Sequence, residues 1–142
     1  MLNIENLTTL EINQKHLETI VNTLTKKEID LTICDNHIMQ QYNLKYRGKD
    51  TSTDVLSFPL ESAMIQYIPL GSIVISADYI ILSSKALGHS LNDELSLLFI
   101  HGLLHLLGYD HEVDNGEMRA KEEALIKKFN LPKSLIVRTE KN

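Results

Sequence analysis

Three of the chain's six histidines fall within one short run, His101-Gly102-Leu103-Leu104-His105-Leu106-Leu107-Gly108-Tyr109-Asp110-His111. On an α-helix, residues four apart share a face, with Cβ atoms about 5–6 Å apart. His101 and His105 at that spacing can meet one tetrahedral ion at Zn–N distances of roughly 2.0–2.1 Å. Gly108 suits the left-handed turn that ends a helix, after which the chain can double back and offer His111 as a third ligand. Three protein ligands leave a fourth position for water, the pattern of a catalytic zinc. Burial points the same way. Nine of the thirteen residues from Leu95 to Leu107 are apolar and spread around the helix, so most of its surface must be covered. A buried imidazole without a partner costs roughly 1–3 kcal/mol, and a shared metal supplies the partner. The bland alternative is two core histidines bonded to backbone or carboxylates, with His111 unrelated.

The spacing H-x-x-x-H-x-x-G-x-x-H is also that of the metzincin metalloproteases, whose motif carries a glutamate base directly after the first histidine. Gly102 stands there instead. A zinc site without that glutamate still polarises water but lacks the usual base for peptide hydrolysis.

The elements that must position these residues are legible in outline. Leu2, Ile4 and Leu7 predict a first strand, and Leu17, Ile20, Val21 and Leu24 a helix capped by Asn13. Glu28 to Cys34 alternates and is rich in β-branched residues, as a strand does. Asp35 or Asn36 caps a short helix running towards Leu44, and the polar stretch from Tyr46 to Thr53 reads as a loop. Strands follow at Val55–Phe58, ended by Pro59, and at Ser72–Ser76. From Ala77 onward helices dominate: Asp78 to Leu87, stopped by Gly88; a helix capped by Asn92 that runs to Leu107; and an amphipathic helix from about Asn115 to Phe129. The fold class is α+β, a small mixed four-stranded sheet packed with helices, with the metal site at the end of a buried central helix.

Composition bounds the rest. The 142 residues suit one domain, 1–142, and 43% apolar residues suffice for a core. The formal charge of -5 means that nucleic-acid binding needs a local positive patch. Cys34 is the sole cysteine, which rules out an intrachain disulfide and a thiolate-rich zinc site; it reads as buried filler. The N-terminus has no basic stretch followed by an apolar one, and Leu95–Leu107 falls short of the ~20 residues that cross a bilayer. A cytoplasmic protein without a membrane segment is expected.

The run from His101 to His111 resembles the signature of the YbeY endoribonuclease family, the bacterial rRNA maturation factors. Thr53-Asp54-Val55-Leu56-Ser57-Phe58-Pro59 resembles the family's second motif, with Tyr46-Arg47 at the expected place before it. Gly88-His89-Ser90 and Asp93-Glu94-Leu95 also fit, so the resemblance spans roughly Asn43 to Phe129. Ser72 departs where members commonly carry an acid, and Ser52 replaces a frequent proline. The resemblance implies a single-strand-specific endoribonuclease that acts on rRNA, at the 16S rRNA 3′ end and in ribosome quality control. It implies one Zn2+ per chain on His101, His105 and His111, and ribosomal subunits and associated proteins as partners; DNA is not expected. The matching Arg47 is implied in activity, and its planar fork of donors fits phosphate oxygens. Lys45 and Lys49 beside it can supply the missing positive patch. The catalytic set is Arg47, His101, His105 and His111. Asp54 is read evenly as strand cap or ligand orienter, His89 as a cap or surface residue, and Lys121, Glu122, Glu123, Lys127 and Lys128 as the wet face of the last helix. No general base stands out, so water and the ribose 2′-hydroxyl both stay open as nucleophile. A zinc peptidase is the alternative enzyme, and a non-catalytic ribosome-assembly factor with structural zinc is a third reading, distinguished by a closed fourth position on the metal.

Overall fold

Alternating apolar residues in Ile29-Asp30-Leu31-Thr32-Ile33-Cys34 make strand β2 (Ile29–Cys34), one of the two inner strands of the sheet. The computed structural model describes residues 1–60 and 69–132. β1 (Leu2–Asn6) and β4 (Gly71–Ser76) flank β2, both parallel to it, and β3 (Val55–Pro59) closes the sheet antiparallel to β4. The order β1-β2-β4-β3 makes β3 an edge strand. The mixed four-stranded sheet expected from the sequence is therefore present.

The helices are α1 (Gln14–Leu24), α2 (Asn36–Arg47), α3 (Ala77–Leu87), α4 (Leu91–Leu106) and α5 (Glu117–Phe129). Side chains on a strand alternate between faces, and the two faces have different covers. Ile29, Leu31, Ile33, Ile73 and Ile75 form one core with α1, α4 and α5. Cys34, Val74 and Leu56 form a smaller core under Met39 of α2. Cys34 is fully buried, and burial, with Asp35 and Asp78 nearby, pushes its thiol up to about 11. It is core filler.

Helix ends follow capping chemistry, with two corrections. Asn13, Asp35, Ser76 and Ser90 each accept a hydrogen bond from the amide three residues on. Ser90 rather than Asn92 thus caps α4; the Asn92 side chain instead accepts from the Asn13 amide at 3.1 Å. The second helix does not stop at Leu44. It runs on through Tyr46 and Arg47 to Gly48, whose left-handed conformation (φ 69°) ends it. The polar composition of that turn disguised a helix as a loop.

α4 is the central element, with twelve of its sixteen residues buried. It lies across β3 and β4, where Gly102 lets it approach closely. A Cβ there would stand 3.0 Å from Ile73 Cγ2 and Ser57 Oγ and 3.2 Å from Val55 Cγ2. The Ser57 hydroxyl donates to the Gly102 carbonyl at 2.9 Å, fastening edge strand to helix. Beneath the other end of this contact, Gly71 opens β4 with φ +154°. A Cβ at Gly71 would collide with the Phe58 carbonyl oxygen and lie 2.9 Å from Leu106 Cδ2. Gly71→Ala should therefore lower the unfolding free energy by at least ~1–3 kcal/mol, the usual cost of overpacking. A urea titration followed by circular dichroism measures this, and an unchanged midpoint would contradict the packing described.

Candidate metal centre

The end of α4 reverses through a complete Schellman turn. Gly108 N–H donates to His105 O at 3.0 Å, and Tyr109 N–H to Leu104 O at 3.0 Å. Gly108 takes φ +99°, which a side chain would strain. The reversal returns the chain over the last turn of α4 and brings His111 to His101 and His105. One ring nitrogen from each of the three lies within 4.8 Å of the others, and the ring centroids are 4.8, 5.2 and 5.6 Å apart. The structure brings together all three histidines singled out by spacing.

Hydrogen bonds fix which nitrogens are free. His101 Nδ1 meets Glu122 Oε2 of α5 at 3.1 Å, and His105 Nδ1 meets the Tyr109 carbonyl at 2.9 Å. An ionised carboxylate and a carbonyl only accept, so both Nδ1 atoms carry the proton. Both Nε2 atoms then present lone pairs, and these face each other at 3.2 Å. His111 Nδ1 is buried with no hydrogen-bond partner among the described residues. Opposed lone pairs and an orphaned buried nitrogen are unfavourable alone and are what a single cation between the rings resolves. A donor set of three imidazoles suits zinc and its neighbours in the transition series. Burial, then the neighbouring His101 and His111 rings, hold His105 below the ordinary histidine value, against opposing contributions from the Tyr109 carbonyl and Asp110. His105 thus stays in its neutral, ligating form.

Glu122 is the residue that sequence reasoning misplaced. It does not belong to the wet face of α5: it is buried, 1% exposed, and orients His101. Carboxylate–histidine pairs of this kind fix the tautomer and raise ligand basicity. The signal was present, because Met118, Glu122 and Leu125 recur at helical spacing and are all buried. His89 is likewise no surface residue; its Nε2 pairs with the buried Glu94 at 2.7 Å, closing the turn between α3 and α4.

The histidines open onto a groove of about 810 Å³ lined also by Arg47, Asp54, Ser57, Tyr109 and Asp110. Arg47, exposed at the end of α2, reaches the same groove, and makes no ion pair among the described residues. Asp54 immediately precedes β3, its carboxylate accepting from the Val55 amide at 2.8 Å, and it also lines the groove. Gly102 points into the sheet, away from the groove, where no glutamate would fit. Ser72 lies with Val74 on the face opposite the histidines by strand alternation, so the acid missing there is not missing from the groove.

Together these elements make a mixed α+β domain in which three histidines converge at the open end of a buried helix. Within it, the family model for endoribonuclease YbeY matches residues 3–130, and the chain belongs to that family. The endoribonuclease YbeY of Aliarcobacter butzleri is 56% identical over 97% of this chain and 99% of its own length. That of a Sulfurovum species is 53% identical over 99% and 98%. The solution structure of TM1509 from Thermotoga maritima, 26% identical, superposes with a TM-score of 0.62, covering 91% of this chain and 89% of that one.

Two substitutions test the centre. His105→Ala should strip bound metal, read by elemental analysis of the purified protein. Glu122→Ala should keep the three ligands yet weaken metal binding about 10–100-fold, the usual effect of losing such a partner, measured by competition with a chromogenic chelator. Undiminished affinity would show that the Glu122 contact does not support the site.

Proposed function

We propose that the protein is a metal-dependent endoribonuclease acting on single-stranded rRNA during ribosome maturation, with residues 1–142 forming one hydrolase domain that carries one zinc ion. The observation that carries this reading is the convergence of His101, His105 and His111 with Arg47 on one open groove, in a chain whose relatives are named endoribonucleases. His101, His105 and His111 would hold the metal. Bound there, it supplies a Lewis acid for phosphoryl oxygens and for water.

The chain's own groups do the rest. Glu122 and the Tyr109 carbonyl keep the ligand rings oriented. Arg47 presents a planar donor fork to a phosphate and stabilises charge that develops on it. Lys45 and Lys49 flank Arg47 and give the phosphodiester chain a local positive surface on a protein of net charge -5. The open groove speaks against a purely structural ion, and the tight packing of Gly102 against the glutamate-based peptidase design. No helix of the described residues is long and apolar enough to cross a membrane; the reading includes a cytoplasmic location, with ribosomal subunits and associated proteins as partners.

The metal-loaded protein should cut rRNA, lose that activity on chelation, and leave casein intact over the same hours. Chelator-sensitive peptide cleavage with intact RNA would reverse the assignment. Arg47→Ala should slow RNA cleavage about a hundred- to thousandfold, as removal of a charge-stabilising donor does, without changing metal content or the thermal melt. Arg47→Lys should recover only part, since an ammonium cannot make the bidentate contact. Near-normal cleavage by folded, loaded Arg47→Ala protein would remove Arg47 from the site.

A further inference from the structure

The last turn of α2 carries more than Arg47. Tyr46, the residue before it, leaves 55% of its surface in solvent, and Leu44 49%. The Tyr46 ring is 6.0 Å from that of Tyr42, with planes inclined by 23°, and 5.3 Å from Phe58 of β3. Lys45 Nζ stands over the face of the Tyr46 ring, 5.2 Å from its centre, on a flexible side chain that a stacking base can displace towards its own phosphates. Phe58 lies between Ser57 and Pro59, which both line the metal groove. Alternation turns Phe58 to the α2 side of β3. Because β3 is an edge strand, only its width separates groove from aromatic cluster. Arg47 belongs to the groove and Tyr46, its chain neighbour, to the cluster.

Packing accounts for Tyr42 and Phe58, which rest against the core formed by Met39, Leu56 and Val74. It does not account for a tyrosine ring held half in water beside two cations. An aromatic ring supported from behind and flanked by basic residues is the usual platform for an unstacked base, because every base has a π-face. Continuity with the groove identifies the occupant, since a strand whose phosphate meets Arg47 must leave over one side of that residue.

We infer that Tyr46, propped by Tyr42 and Phe58, stacks an unpaired base of the RNA strand as it passes from Arg47 over the edge of β3, with Lys45 and Lys49 facing its phosphates. This rests on the nuclease reading above. The platform favours single strands, since a paired base is already stacked within its own helix.

The chain contains no tryptophan, so Tyr46→Trp introduces a single indole at the platform that can be excited apart from the remaining tyrosines. Titrating the metal-loaded variant with a single-stranded 2′-O-methyl oligoribonucleotide should quench its emission, whereas an all-abasic strand of equal length should not. In steady-state cleavage of a short single-stranded RNA, Tyr46→Ala and Tyr46→Leu should each raise KM roughly 5- to 150-fold. Their kcat should stay near that of the wild type, and Tyr46→Phe should behave as wild type throughout. The Leu variant keeps an apolar contact with Phe58, so a loss shared with Ala reports the ring's face rather than folding, which thermal melts check. An unchanged KM for Tyr46→Ala with unquenched Tyr46→Trp emission overturns the inference and leaves the patch to a protein partner. A wild-type protein that cuts no RNA strikes the nuclease reading itself, and the inference falls with it.

Discussion

The structure depends on one solvation problem: imidazoles placed on the most apolar of the described helices. Each ring nitrogen drawn out of water must find a partner or cost stability. For His101 and His105 the Nδ1 atoms are answered by Glu122 and by the Tyr109 carbonyl. Those two answers commit much of the fold. The first requires α5 to dock with a carboxylate turned inward, and the second requires the chain to reverse at Gly108. Once both are met the Nε2 atoms have no partner but each other, and the reversal has already delivered His111. A cation site is thus what remains when every other hydrogen-bonding demand of this helix is satisfied.

Close approach is the second requirement. A helix as thoroughly buried as α4 must rest directly on the sheet, and Gly102 makes that contact at the level of the histidines. The same residue decides the chemistry on offer. Facing β3, it carries no side chain into the groove, whose charged lining is Arg47 together with Asp54, Asp110 and Glu112.

How much of this could be read from the sequence depended on range. The convergence of the three histidines was legible because they are placed by local geometry: a four-residue helical spacing and a glycine in register. The mixed sheet followed from period-two strands separated by helical periods. What escaped was set by tertiary docking or by competing local signals. Glu122 looks solvated among the charges of α5 until Met118 and Leu125 are seen to turn the same way. The His89–Glu94 pair spans a turn that spacing alone does not define. Ser90 and Asn92 are both good caps, and only the observed Ser90–Asp93 bond separates them. Arg47 lines the groove but was read as part of a loop, because a polar final turn of helix has the composition of one.

The Glu122–His101 contact also has a thermodynamic side. It ties α5 to the ligand cluster, so docking of that helix and occupation of the site are linked equilibria, each favouring the other by the same factor. Amide hydrogens of α5 would then exchange more slowly as the site fills, although α5 supplies no ligand. Loss of the ion would be felt first as fraying of that helix, exposing Met118 and Leu125 to proteases while the sheet still holds. The state of α5 would thereby report whether the three histidines hold a cation.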